Sequence, residues 1–129
     1  MDRKELSEES IKLGKKVLVG LDKAKFPVTT AFWFLDAEST SWRYIVASKL
    51  LDDLGPIEAY GKLQKQLLKI LGKNSIFIKN VSIVSPAHPL INLLKIAVRT
   101  EPTWIGGIRF TGNVINGQYI DDAYLYRVS

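Results

Sequence analysis

The chain has 129 residues, 47% hydrophobic and 24% charged, which fits one globular domain with a real core and excludes a disordered chain. It has no cysteine and a single histidine, His88, so disulfides, thiol nucleophiles, thiolate metal sites and most histidine-built metal sites are excluded. The 18 Lys and Arg exceed the 13 Asp and Glu, a formal charge of +5 that keeps nucleic acid or an acidic partner in view. No apolar run approaches the roughly 20 residues of a membrane helix. The opening MDRKELSEES has no apolar h-region, so a cytoplasmic protein without membrane partners is expected.

In chain order, Ser7 to Lys25 reads as a helix. Ser7 suits the N-cap, and Glu8 and Glu9 suit the positive end of the helix dipole. Ile11, Val17, Leu18, Leu21 and Ala24 recur at helical spacing, while Gly14 and Gly20 each cost up to ~1 kcal/mol relative to Ala. Val28–Asp36 and Ser41–Ser48 are rich in aromatic and β-branched residues and read as two strands of a hairpin joined by the polar residues 37–40. Phe32 and Phe34 alternate with Trp33 and Leu35, so both faces of the first strand are apolar. Either the hairpin is covered on both faces or one face meets a partner.

Asp52 to Pro56 reads as a loop. Pro56 to Leu71 follows as a helix, with Ile57, Tyr60, Leu63, Leu67, Ile70 and Leu71 on one stripe and Gly72 as its stop. Ile76–Ser85 reads as a strand with a break near Asn80. A helix from Pro89 to about Arg99 then buries Leu90, Leu93, Leu94 and Ala97. Ile108–Ile115 and Gln118–Val128 flank Asn116-Gly117, the strongest signature of a two-residue type I′ hairpin. The order αββαβαββ, with short connections, predicts a single α+β domain over residues 1–129, its five-stranded sheet mostly antiparallel.

The type I′ turn fixes a register that sorts the last hairpin by face. Ile108, Phe110, Val114, Tyr119, Ala123 and Leu125 are expected on the core. Arg109, Thr111, Asp122 and Tyr124 then share the other face with Ile120. Arg109 and Asp122 stand there as diagonal neighbours within reach of an ion pair. This quartet offers a cation, a carboxylate, a hydroxyl and a phenol to a small ligand or a peptide. Asp121 falls on the apolar face opposite Gly112, where it either bonds a backbone amide or marks a bulge.

Ser85 and His88 flank a turn before a helix, but no G-x-S-x-G elbow accompanies them. There is no phosphate loop, GxGxxG or HExxH. Asp121 and Asp122 point to opposite faces of a regular strand and cannot share an ion. No metal or cofactor is therefore expected. Lys62, Lys65, Lys69 and Lys73 fall within about 80° of arc on the helix from Pro56. They form either its solvated back or a grip on phosphates, and no aromatic or arginine interleaves to read bases.

These residues predict a non-catalytic binding or accessory protein. A protein partner or a second copy, meeting the hairpin at Trp33, Trp42 and Tyr44, ranks first. Nucleic acid on the lysine face is the alternative. A small hydrolase-type enzyme using Arg109, Asp122, His88 or Ser85 comes third.

Overall fold

The computed structural model describes residues 5–36, 41–72 and 80–129. Its elements are α1 (Glu8–Lys23), β1 (Thr30–Asp36), β2 (Ser41–Ala47), α2 (Lys49–Leu54), α3 (Pro56–Leu71), β3 (Val81–Val84), α4 (Pro89–Ala97), β4 (Ile108–Ile115) and β5 (Gln118–Val128). The strands form one sheet in the order β3-β2-β1-β5-β4. Only β2 and β3 run parallel; the other three pairs are antiparallel. The fold is α+β, as the element order predicts. One short helix, α2, is additional, and it occupies part of the stretch expected to be loop. Residues 76–79 of the expected third strand and the 37–40 connection lie outside the described residues.

Helices cover both faces of the sheet. On one face, Val17, Leu18 and Leu21 of α1 and Leu63 and Leu67 of α3 pack with Trp33, Trp42, Tyr44 and Tyr126. On the other, Ile91 and Leu94 of α4 pack with Phe32, Ile45, Ala123 and Leu125. This overturns the reason for expecting a partner at the first hairpin. Trp33, Trp42 and Tyr44 are buried by the chain's own α1 and α3, so they are not an apolar patch that needs covering. Ile57, expected on the buried stripe of α3, is 90% exposed; Ala59 takes the core position instead. In α4 Leu94 is buried as expected, Ile91 joins it in the core, and Ala97 is exposed.

α1 meets the sheet through polar contacts as well as apolar ones. Trp33 Nε1 donates to the Ser10 carbonyl at 3.1 Å, Tyr126 Oη to Ile11 at 2.6 Å and Tyr44 Oη to Gly14 at 2.9 Å. Ser7 caps the helix by accepting from the Ser10 amide. Burial pushes the phenols of Tyr44 and Tyr126 well above their ordinary value near 10. Both are acids favoured neutral in the fold. Their contribution is therefore complete below about pH 10 and declines as pH rises beyond it, because the unfolded phenols ionise first. Stability measured by urea from pH 8 to 11 should fall above pH 10, and fall less steeply in Tyr44→Phe. Parallel curves for the two proteins would contradict the buried-donor role.

The final hairpin keeps the predicted register, from Ile115↔Gln118 to Ile108↔Leu125. Asn116 and Gly117 have φ of 50° and 80°, as a type I′ turn requires. The face assignment, however, fails beyond Gly112. Val114 and Tyr119, expected in the core, are 66% and 63% exposed, while Ile120 is 1% exposed and joins the α4 cluster. Gly112 sits at φ 60° with the same register on either side of it. Its left-handed backbone twists the ribbon, so the outer rungs turn their other face to α4. A second irregularity, between Ala31 and Phe32 opposite β5, sends the consecutive side chains of Tyr126 and Arg127 both toward α1.

No helix among the described residues is long and apolar enough to cross a membrane.

Candidate functional site

Three clusters bring together residues singled out by their chemistry. The first lies on β4 and β5. Arg109 Nε and Nη2 donate to Asp122 Oδ1 and Oδ2 at 2.6 and 2.7 Å, and Thr111 Oγ1 lies 3.4 Å from Oδ1. The guanidinium sits 5.6 Å from the centre of the Trp42 ring. Tyr124 pairs with Arg109 across the ladder and leans over Gly107, whose missing side chain leaves it room. So Arg109, Thr111, Asp122 and Tyr124 do converge. Their charges, though, are spent on one another: the fork of Arg109 is satisfied by a carboxylate that is itself 4% exposed. The hydrogen bond to Asp122 raises the Arg109 pKa further, despite the opposing desolvation. This arrangement ties β4 to β5 and holds the guanidinium, whose side chain is 43% exposed, beside the Trp42 ring.

The second cluster lies before α4. Ser85 Oγ donates to Asp52 Oδ2 at 3.0 Å and accepts from the Ala87 amide at 3.1 Å. His88 is the N-cap of α4; its Nδ1 accepts from the Leu90 amide at 3.1 Å. The base is thus turned to its own helix, and the serine bonds a carboxylate directly. A serine activated by this histidine would need its hydroxyl on the imidazole. These residues brace a helix start. Among the described residues, no three acidic or histidine side chains gather where a metal could sit.

The third cluster is basic. Lys62, Lys65 and Lys69 are exposed along α3, over about 10 Å of helix at 1.5 Å per residue. Lys73 lies outside the described residues. The three line a recess of about 320 Å³ whose facing wall is the segment after α1: Ala24, Lys25, Phe26 and Pro27. Leu50 of α2 and Gln66 complete it. Four lysines, three from α3 and one from the segment after α1, therefore line one cavity, and among the described residues no acidic side chain lines it. Asp22, one turn back on α1, is held by Arg127 at 2.7 and 3.0 Å. The carbonyls of Gly20, Leu21 and Asp22, which would otherwise present the negative end of α1, accept from Ala24, Phe26 and Lys25. Lys25 is the member that sequence reasoning missed. It stands 37 positions before Lys62, and nothing local in the sequence links the two.

Another recess, of about 430 Å³, runs between α4 and the hairpin tip, lined by Leu90, Leu93, Ile96 and Asn116 among others. Among the described residues, none that lines it is charged.

The chain matches no protein-family model, no curated protein and no solved structure.

Proposed function

We propose that this protein acts by binding, without catalysis, and that its ligand is nucleic acid held by its phosphates at the lysine recess. One observation carries the reading: Lys25, from the segment after α1, and Lys62, Lys65 and Lys69, from α3, converge on a cavity with no acidic lining among the described residues. Like charges placed together raise the local attraction for an anion and repel each other when it is absent. An amphipathic helix needs solvated lysines on its back, but it does not need a fourth from another segment facing them. Lysine is a point charge, well suited to phosphate and poorly suited to reading base edges. No exposed aromatic ring lines the recess to stack a base; Phe26 is buried. Binding is therefore expected to be indifferent to sequence and strongly dependent on salt.

The test is fluorescence anisotropy with a labelled 20-nucleotide single strand of mixed sequence. Four phosphate contacts predict a slope near −3 in log K against log salt, or about 50-fold weaker binding at roughly 200 mM than at 50 mM. Lys62→Gln, Lys65→Gln and Lys69→Gln combined should remove about 2 from that slope and weaken binding at least tenfold. Each exposed change should alter stability by no more than about 0.5 kcal/mol. A triple variant that binds as the parent does, or a parent that shows no salt-dependent binding at about 50 mM, would overturn the proposal.

A further inference from the structure

Six described residues take a positive φ: Gly55, Gly72, Gly112, Gly117, Asn116 and Lys25. Five are the glycine or asparagine that this backbone region favours. Lys25, at φ 59°, is the exception. It follows the C-cap Ala24 of α1, and the chain turns there with Phe26 N bonded to Leu21 O at 2.9 Å and Lys25 N to Asp22 O at 3.0 Å. That bonding is the Schellman pattern, and its left-handed position is where glycine is commonest. The glycines that stop α2 and α3 lie elsewhere, at φ 85° with ψ of 167° and 175°, an extended region that only glycine adopts readily. At the end of α1, beside the basic recess, a lysine holds the left-handed position.

We infer that Lys25 is a phosphate-binding residue kept at the end of α1 against the conformational preference of its backbone, so that the strand is gripped from two walls. The inference rests on the nucleic-acid reading of the recess and deepens it. The lysine row of α3 is an open ridge by itself. Lys25 stands on the opposite wall, on a segment anchored by the buried Phe26. A strand seated between them has its phosphates neutralised from two sides, each wall meeting phosphates that the other does not reach. A left-handed backbone is set by local bonding before any ligand arrives, so the charge is already in place.

Strain kept for a ligand predicts opposite changes in stability and binding. Lys25→Gly should raise Tm by about 2–4 °C. It should weaken binding of the 20-nucleotide single strand three- to fivefold and reduce the salt slope by about 0.7. Lys25→Arg keeps the charge and the strain, and should match the parent in both respects. Lys23→Gln removes an exposed lysine of the last turn of α1 that does not line the recess. It should leave binding within twofold of the parent. If the parent and the α3 variants behave as expected but Lys25→Gly binds as tightly as the parent, Lys25 is only a cap residue: this inference fails, and binding is then carried by the α3 row alone. A Lys25→Gly protein that melts below the parent would equally refute it, because no strain was held there. If the parent does not bind the oligonucleotide at all, the reading of the recess fails and the inference falls with it.

Discussion

Replacing Gly14 with valine should cost about 3 kcal/mol or more, enough to leave a domain of this size marginal. A Cβ at Gly14 would fall on the Tyr126 hydroxyl, 2.7 Å from Tyr126 Cζ and 2.8 Å from Trp33 Nε1. Both rings are buried, and each donates a hydrogen bond to α1, so neither has room to retreat. Overpacking of this kind costs about 1–3 kcal/mol, and each bond lost to a displaced ring adds about 1. Gly14→Ala should cost less, since alanine regains about 1 kcal/mol of helix propensity. Urea unfolding measures both variants. A Gly14→Val protein within 1 kcal/mol of the parent would show that α1 does not lie against Tyr126 as described.

Arg127→Met should cost about 2–4 kcal/mol. Arg127 is 1% exposed, and its guanidinium bonds Asp22, the Trp104 carbonyl at 2.9 Å and the Val28 carbonyl at 3.2 Å. One side chain thus joins β5, the end of α1 and two loops. Methionine fills much of the volume but leaves both carbonyls without this donor. Asp22 is partly exposed, and water satisfies it more cheaply than it would a fully buried partner. Arg127→Lys keeps the charge without the fork and should fall between the two. The same variant frees the Asp22 carboxylate beside the lysine recess, so Arg127→Met should also weaken nucleic-acid binding. Equal stability of Arg127→Met and parent in urea would remove Arg127 from the set of residues that tie the fold together.

What could be read from the sequence was local. Ser7 and Gly72 marked helix ends, and Asn116-Gly117 gave a hairpin whose register holds on both sides of Gly112, where the expected pairing with Asp121 is interrupted. The ion pair of Arg109 and Asp122 followed from that register alone. Features that depend on distant contacts were not legible. Gly14 reads as a weak point of a helix, yet it is where two aromatic rings from β1 and β5 reach the α1 backbone. Helix α2 is six residues long, too short for an apolar period to show. The outer rungs of the last hairpin changed face because one glycine, Gly112, bends the ribbon without shifting its register. Apolar residues on both faces of β1 left two outcomes open, a sheet covered twice or a partner on one face, and the chain's own helices supply the cover. Which helices cover it depended on the crossover from β2 to β3, which the order of elements leaves open. The recess was half visible: the α3 row is periodic, whereas Lys25 is brought to it only by packing of α1 against α3.

The proposed contact with nucleic acid lies at the recess between α3 and the end of α1. A two-dimensional amide NMR titration of the intact chain with the unlabelled 20-nucleotide strand at about 50 mM salt locates it. Shifts are expected to concentrate at Ala24 to Phe26 and from Lys62 to Lys69, saturating with added strand and reversed by raising the salt. Shifts centred on Arg109 and Asp122 or on the α4 groove, or no shifts at all, would contradict it.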